Sequence, residues 1–86
     1  MSYSNYSQVE SAIANCREFR GNSCHATFSN SDGYYRVYSY GTLIARIMPY
    51  TRAHYQLNSR KYSQTTSRLQ NIVKRAWANV PVSELS

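Results

Sequence analysis

Eighty-six residues with a formal net charge of +6 allow one domain, residues 1–86, built on one modest core. No apolar run approaches the roughly 18–20 residues that span a bilayer, so no membrane partner is expected. Two cysteines and four carboxylates leave little for a disulfide framework or for paired acid–base catalysis.

The opening MSYSNYSQVES has neither the basic nor the apolar region of a secretory signal, so a cytoplasmic chain is expected. A helix is predicted from about Ser7 to Arg20. Ser7-Gln8-Val9-Glu10 matches a capping box, and Val9, Ala12, Ile13, Cys16 and Phe19 recur on one helical face. Gly21 suits the left-handed residue that ends such a helix.

Strands follow. In Cys24–Ser29, Cys24, Ala26 and Phe28 alternate with polar residues. Asn30-Ser31-Asp32-Gly33 is turn chemistry. Tyr34–Ser39 puts Tyr35 and Val37 on one face and Tyr34, Arg36 and Tyr38 on the other. Tyr40-Gly41 marks a second turn. Thr42–Met48 places Leu43, Ala45 and Ile47 together, and Pro49 stops the pairing. His54–Asn58 adds a short fourth strand after a loop at Tyr50–Ala53.

A second helix is capped by Ser63, Thr65 or Thr66. Leu69, Ile72, Val73, Ala76, Trp77 and Val80 form its apolar stripe, and Pro81 ends it. Arg68, Asn71 and Arg75 then line the opposite side, with Gln70 and Lys74 beside them. The expected fold class is α+β: an N-terminal helix, a three- to four-stranded antiparallel sheet and a C-terminal helix, both helices on one sheet face.

Charge separates along this plan. Residues 1–35 set Arg17 and Arg20 against Glu10, Glu18 and Asp32, one net negative charge. Residues 36–86 set eight Lys/Arg against Glu84 alone, seven net positive. Such a field attracts polyanions or an acidic protein face. The segment Asn58–Arg68 adds Ser, Thr, Asn, Gln and Tyr donors at the start of a helix, the side chains that hold phosphate oxygens. Candidate binding residues are therefore Arg60, Lys61, Tyr62, Arg68, Asn71, Lys74 and Arg75. Tyr38 and Tyr40, in a row with Tyr34, offer rings for stacking or for a protein contact.

No enzyme, metal or cofactor is expected. Cys16, Cys24, His25 and His54 fit no common zinc spacing, and read more simply as two small buried hydrophobes and two ordinary histidines. Cys24 and His25 are strand neighbours that point to opposite faces, so they make no nucleophile–base pair.

Two stretches carry a resemblance. YSYGTLIA (Tyr38–Ala45) followed by LNSRKYSQTTSRLQNIVKRA (Leu57–Ala76) resembles a family of small bacteriophage and prophage proteins with no established activity. The resemblance implies a phage setting, the cytoplasm of an infected bacterium. By analogy with other small phage proteins it implies an inhibitor or modulator of a host nucleoprotein complex. The sharpest form is an anti-CRISPR protein acting on a Cas effector. The alternative is a direct DNA- or RNA-binding accessory protein using the basic second helix. A virion or assembly component is a third class. The sequence fixes no oligomeric state.

Overall fold

The computed structural model describes residues 2–3, 6–21, 23–51 and 53–85. In chain order they form β1 (Ser2–Tyr3), α1 (Tyr6–Ala14), β2 (Phe19–Gly21), β3 (Cys24–Phe28), β4 (Tyr35–Ser39), β5 (Thr42–Met48), β6 (Ala53–Leu57), α2 (Gln64–Ala76) and β7 (Val82–Glu84). The seven strands make one sheet in sequence order. β2 to β6 are antiparallel neighbours, whereas β1 joins β2 and β7 joins β6 in parallel.

The fold is α+β, but the sheet is mixed and larger than the three or four antiparallel strands expected. The missed strands, β1, β2 and β7, have two or three residues each. That is too short for alternation to declare itself. They decide the topology nonetheless. Parallel neighbours need a crossover connection. α1 serves β1–β2 and α2 serves β6–β7. Since β1, β2, β4, β6 and β7 all run one way, two crossovers of the same hand cover the same face of the sheet. α1 and α2 pack against each other over that face.

The first helix is shorter than expected. It begins at Tyr6, so Ser7 is its second residue rather than its cap, and the cap position falls outside the described residues. It stops at Ala14 because Cys16 turns left-handed, at φ +52°. Arg17 N–H then donates to the Ala12 carbonyl (2.8 Å) and Cys16 N–H to that of Ile13 (3.0 Å). These are the two bonds of a Schellman ending. Cys16 therefore does the work expected of Gly21, and is only half-buried. Phe19 stays buried, as a strand residue.

Among the described residues the strand pairing shifts register twice, between β5 and β6 at Arg46/Met48 and between β4 and β5. Val37 pairs with Ala45 and Tyr38 with Leu43, leaving Ile44 as an extra residue in β5. At this bulge both Ile44 and Ala45 face the core. Leu43, expected beside Ala45, moves to the opposite face with Tyr38. Tyr40 and Gly41, at φ +51° and +83°, link the paired Ser39 and Thr42 in a tight two-residue hairpin turn.

The core lies between the helices and the covered face of the sheet. Val9, Ala12 and Ile13 of α1 meet Leu69, Ile72 and Val73 of α2 above Tyr35, Val37, Ala45, Ile47, Tyr55 and Leu57. α2 ends at Ala76, earlier than Pro81, and Trp77 follows as its cap. The Trp77 indole stands edge-on to Tyr55 (5.0 Å) and Tyr35 (6.1 Å). Two polar contacts lie deeper: Ser39 Oγ with Thr66 Oγ1 (2.8 Å), and Tyr35 Oη donating to the Arg17 carbonyl (2.7 Å). Among the described residues no helix is long and apolar enough to cross a membrane.

Candidate functional site

The basic segment does not form one surface. Its first part, the loop before α2, is braced from within. Asn58 is buried. Its side-chain amide donates to the Leu43 carbonyl and the Tyr62 hydroxyl, while its Oδ1 accepts from Arg60 N–H. Gln70 turns inward and donates to the Asn58 (2.7 Å) and Arg60 (2.9 Å) carbonyls. Gln70 was expected among the outward residues; its helical position lies on the boundary of the apolar stripe, where a long amide can satisfy buried carbonyls. Ser59 is held through both its N–H and its hydroxyl by Glu84 of β7. Those bonds, with the Arg60 charge nearby, hold the Glu84 carboxyl below the usual carboxylate range. So the loop's polar residues mostly fix its shape. Arg60 and Lys61 remain exposed, and Tyr62 is partly so.

The second part is the outward face of α2. Ser63 is the cap: its hydroxyl accepts from Thr66 N–H. Arg68, Asn71, Lys74 and Arg75 are exposed. Arg68, Asn71, Ile72 and Arg75 line a shallow groove of about 300 Å³. Arg75 faces solvent as expected, but not without a local acid. It pairs with Glu10 of α1 (2.9 Å), because the crossover topology sets the two helices side by side.

The third surface is the uncovered face of the sheet. His25 and Tyr38 are cross-strand partners whose rings stack at 4.9 Å and 11°. Arg20 is paired with His25 on the next strand. One step along, Arg36 and Arg46 oppose each other directly, and both guanidinium groups lie over the Tyr34 ring, at 5.4 and 4.7 Å. Asp32 binds Arg36, which holds its own carboxyl below the usual range, and Gln56 binds Arg46. Arg46 and Arg60 share a hollow of about 340 Å³ with Leu43, Asn58 and Leu85. Two further hollows, of about 230 and 220 Å³, lie on either side of Arg20 and His25.

The sequence residues therefore divide. Tyr38, with Arg60 at the rim, belongs to the sheet face. Arg68, Asn71, Lys74 and Arg75 belong to the far side of the helices. Tyr40 does not extend the strand row of Tyr34 and Tyr38. It sits on the turn, 69% exposed, and borders the hollow that holds Arg20 and His25. Arg20, His25 and Arg46 were not picked out as site residues. Arg20 was read as the tail of a helix, while His25 and Arg46 were legible from alternation alone.

Cys24 faces the core, where burial pushes its thiol pKa up, while His25 stacks on the open side. Neither cysteine forms a disulfide. Among the described residues no group of three or more His, Cys, Asp or Glu converges as metal ligands would.

A family of unknown function, DUF8033, matches residues 6–78. The chain belongs to that family. The match runs from the start of α1 past Trp77. It takes in the sheet face and the α2 face, and leaves out β1 and β7. No curated protein and no solved structure matches the chain.

Proposed function

We propose that this protein is a small non-enzymatic binding module for nucleic acid, free or held in a host nucleoprotein, acting in the cytoplasm of a phage-infected bacterium. The observation that carries the reading is the cross-strand pair Arg36–Arg46. Like charges placed directly opposite each other on a sheet are unfavourable. Here they continue a series running from Arg20 to Arg60; Asp32 offsets Arg36, whereas Arg46 is held by the neutral Gln56. A surface that sets cations together in this way is arranged for a polyanion. The phage setting rests on the resemblance of the Tyr38–Ala45 and Leu57–Ala76 stretches.

A second reading has its own observation. The α2 groove sets Arg68, Asn71 and Arg75 around the buried Ile72. That mixture suits an acidic protein surface, and it supports a modulator of a nucleoprotein complex, with an anti-CRISPR inhibitor of a Cas effector as the sharpest case.

Reversal of Arg20 and Arg60 to Glu separates the two readings. Nucleic-acid affinity, measured by fluorescence anisotropy, should fall at least tenfold, and the slope of log affinity against log salt should flatten. Wild-type affinity that is weak and insensitive to salt would sink the first reading.

A further inference from the structure

We propose that the uncovered sheet face is a platform for single-stranded nucleic acid, with His25, Tyr38 and Tyr40 stacking against bases and Arg20 and Arg46 holding phosphates. This rests on the polyanion reading and narrows it to one class of ligand.

Charge alone would favour a duplex, whose phosphates are denser than those of a single strand. The rings change that preference. Duplex bases are stacked on one another and offer no faces, whereas unpaired bases stack on aromatic side chains whatever their sequence. His25 and Tyr38 stand nearly parallel and are only half-buried, so the column they form can be continued by a base.

The two hollows beside them are not equivalent. The first is bordered by Glu18, whose charge opposes a phosphate. The second is lined by Arg20, Gly21, Ser23, Cys24, His25 and Tyr40, with no acid. It brings together the Arg20 guanidinium, the Ser23 hydroxyl and the rings of His25 and Tyr40, groups suited to a phosphate and a base. The path then crosses to Arg46 and reaches Arg60, which lines the same hollow as Arg46. The sheet from β2 to β6, four strand spacings, is about 19 Å across.

Tyr40 supplies an independent sign. It holds a left-handed backbone at φ +51°, a conformation that Asn and Gly adopt more readily than a bulky ring. Its ring stands 69% exposed and contributes little to the core. A strained residue that presents an exposed ring beside a cationic hollow is placed for a ligand rather than for the fold.

The test uses the full chain and a fluorescent oligonucleotide of about eight nucleotides, single-stranded or annealed to its complement. Inorganic polyphosphate serves as a base-free competitor. Single strand should bind at least tenfold more tightly than duplex. Tyr40→Asn should weaken single-strand binding at least fivefold, leave duplex and polyphosphate binding unchanged, and melt at or above the wild-type temperature. Tyr38→Leu should act in the same direction on binding. Equal or tighter duplex binding, with polyphosphate still competing, overturns the platform and leaves the polyanion reading standing. Failure of every polyanion to bind overturns both. An acidic protein partner whose binding is lost in Tyr40→Asn, with single-strand binding unchanged, would reassign the face to protein.

Discussion

Trp77 Nε1 donates to the main-chain carbonyl of Ile13 (3.1 Å), so the residue that caps α2 is bonded into the end of α1. The same indole packs edge-on against Tyr35 and Tyr55. One side chain thus joins both crossovers to the centre of the sheet. Trp77→Phe keeps an aromatic ring but loses the donor and part of the buried area. It should cost about 2 kcal/mol in denaturant unfolding. A variant as stable as wild type would mean that the helices are held by their apolar stripes alone.

The Ser39–Thr66 hydroxyl pair ties β4 to the first turns of α2 in the dry core. Removing one partner leaves the other short of a buried bond. Ser39→Ala should therefore cost about 1–3 kcal/mol. Adding Thr66→Val should recover part of that loss, since both polar groups are then gone. Strictly additive losses would contradict a direct coupling between them.

Tyr55 is the counterexample to that economy. Its hydroxyl is buried and meets no hydrogen-bond partner among the described residues. Tyr55→Phe should leave stability at neutral pH unchanged or slightly raised. Burial also pushes the Tyr55 pKa up to about 12. An unfolded tyrosine ionises near 10, so above that pH the unfolded chain gives up this proton first. The native state is then penalised increasingly as pH rises through about 12, by at most about 1.4 kcal/mol per unit. Urea titrations between pH 9 and 12 should show wild type losing stability faster than Tyr55→Phe. Parallel curves would mean that the hydroxyl is solvated.

These side chains show which parts of the fold could be read in advance. The apolar stripe of α2 was visible because Leu69, Ile72, Val73, Ala76 and Trp77 recur at helical spacing. The Gly33 and Tyr40-Gly41 turns, and a cap at Ser63, Thr65 or Thr66, were visible because their chemistry is local; the structure selects Ser63. What was hidden depends on partners distant in sequence. Cys16 ends α1 without being a glycine, and the residues beyond it carry β2, whose pairing with β1 and β3 no local pattern reports. The bulge at Ile44 exists only relative to Val37 and Tyr38. The candidate site was half visible for the same reason. Arg60, Arg68 and Tyr38 announced themselves by composition, but their assignment to two opposite sides of the molecule required the crossovers to be known.

Arg75 and Glu10 offer the last test, because they separate a structural role for the α2 face from a binding one. The pair is exposed on both sides, with side chains 62% and 39% accessible. Exposed ion pairs contribute little to stability. Reversing the pair to Glu10→Arg with Arg75→Glu keeps the contact and should leave the melting temperature at the wild-type value. Arg75→Glu alone sets two carboxylates together and should lower it slightly. Neither change touches the sheet face, so single-stranded nucleic-acid affinity should stay within about twofold of wild type, less than the tenfold that 1.4 kcal/mol represents. Lys74→Glu with Arg68→Glu should behave likewise toward free nucleic acid. Toward a purified host nucleoprotein the α2 reversals carry the opposite expectation under the modulator reading: at least tenfold weaker binding with the fold intact. If the α2 variants lose free nucleic acid as strongly as Arg20→Glu with Arg60→Glu does, the ligand contacts both sides of the molecule, and the division between the sheet face and the helix face is wrong.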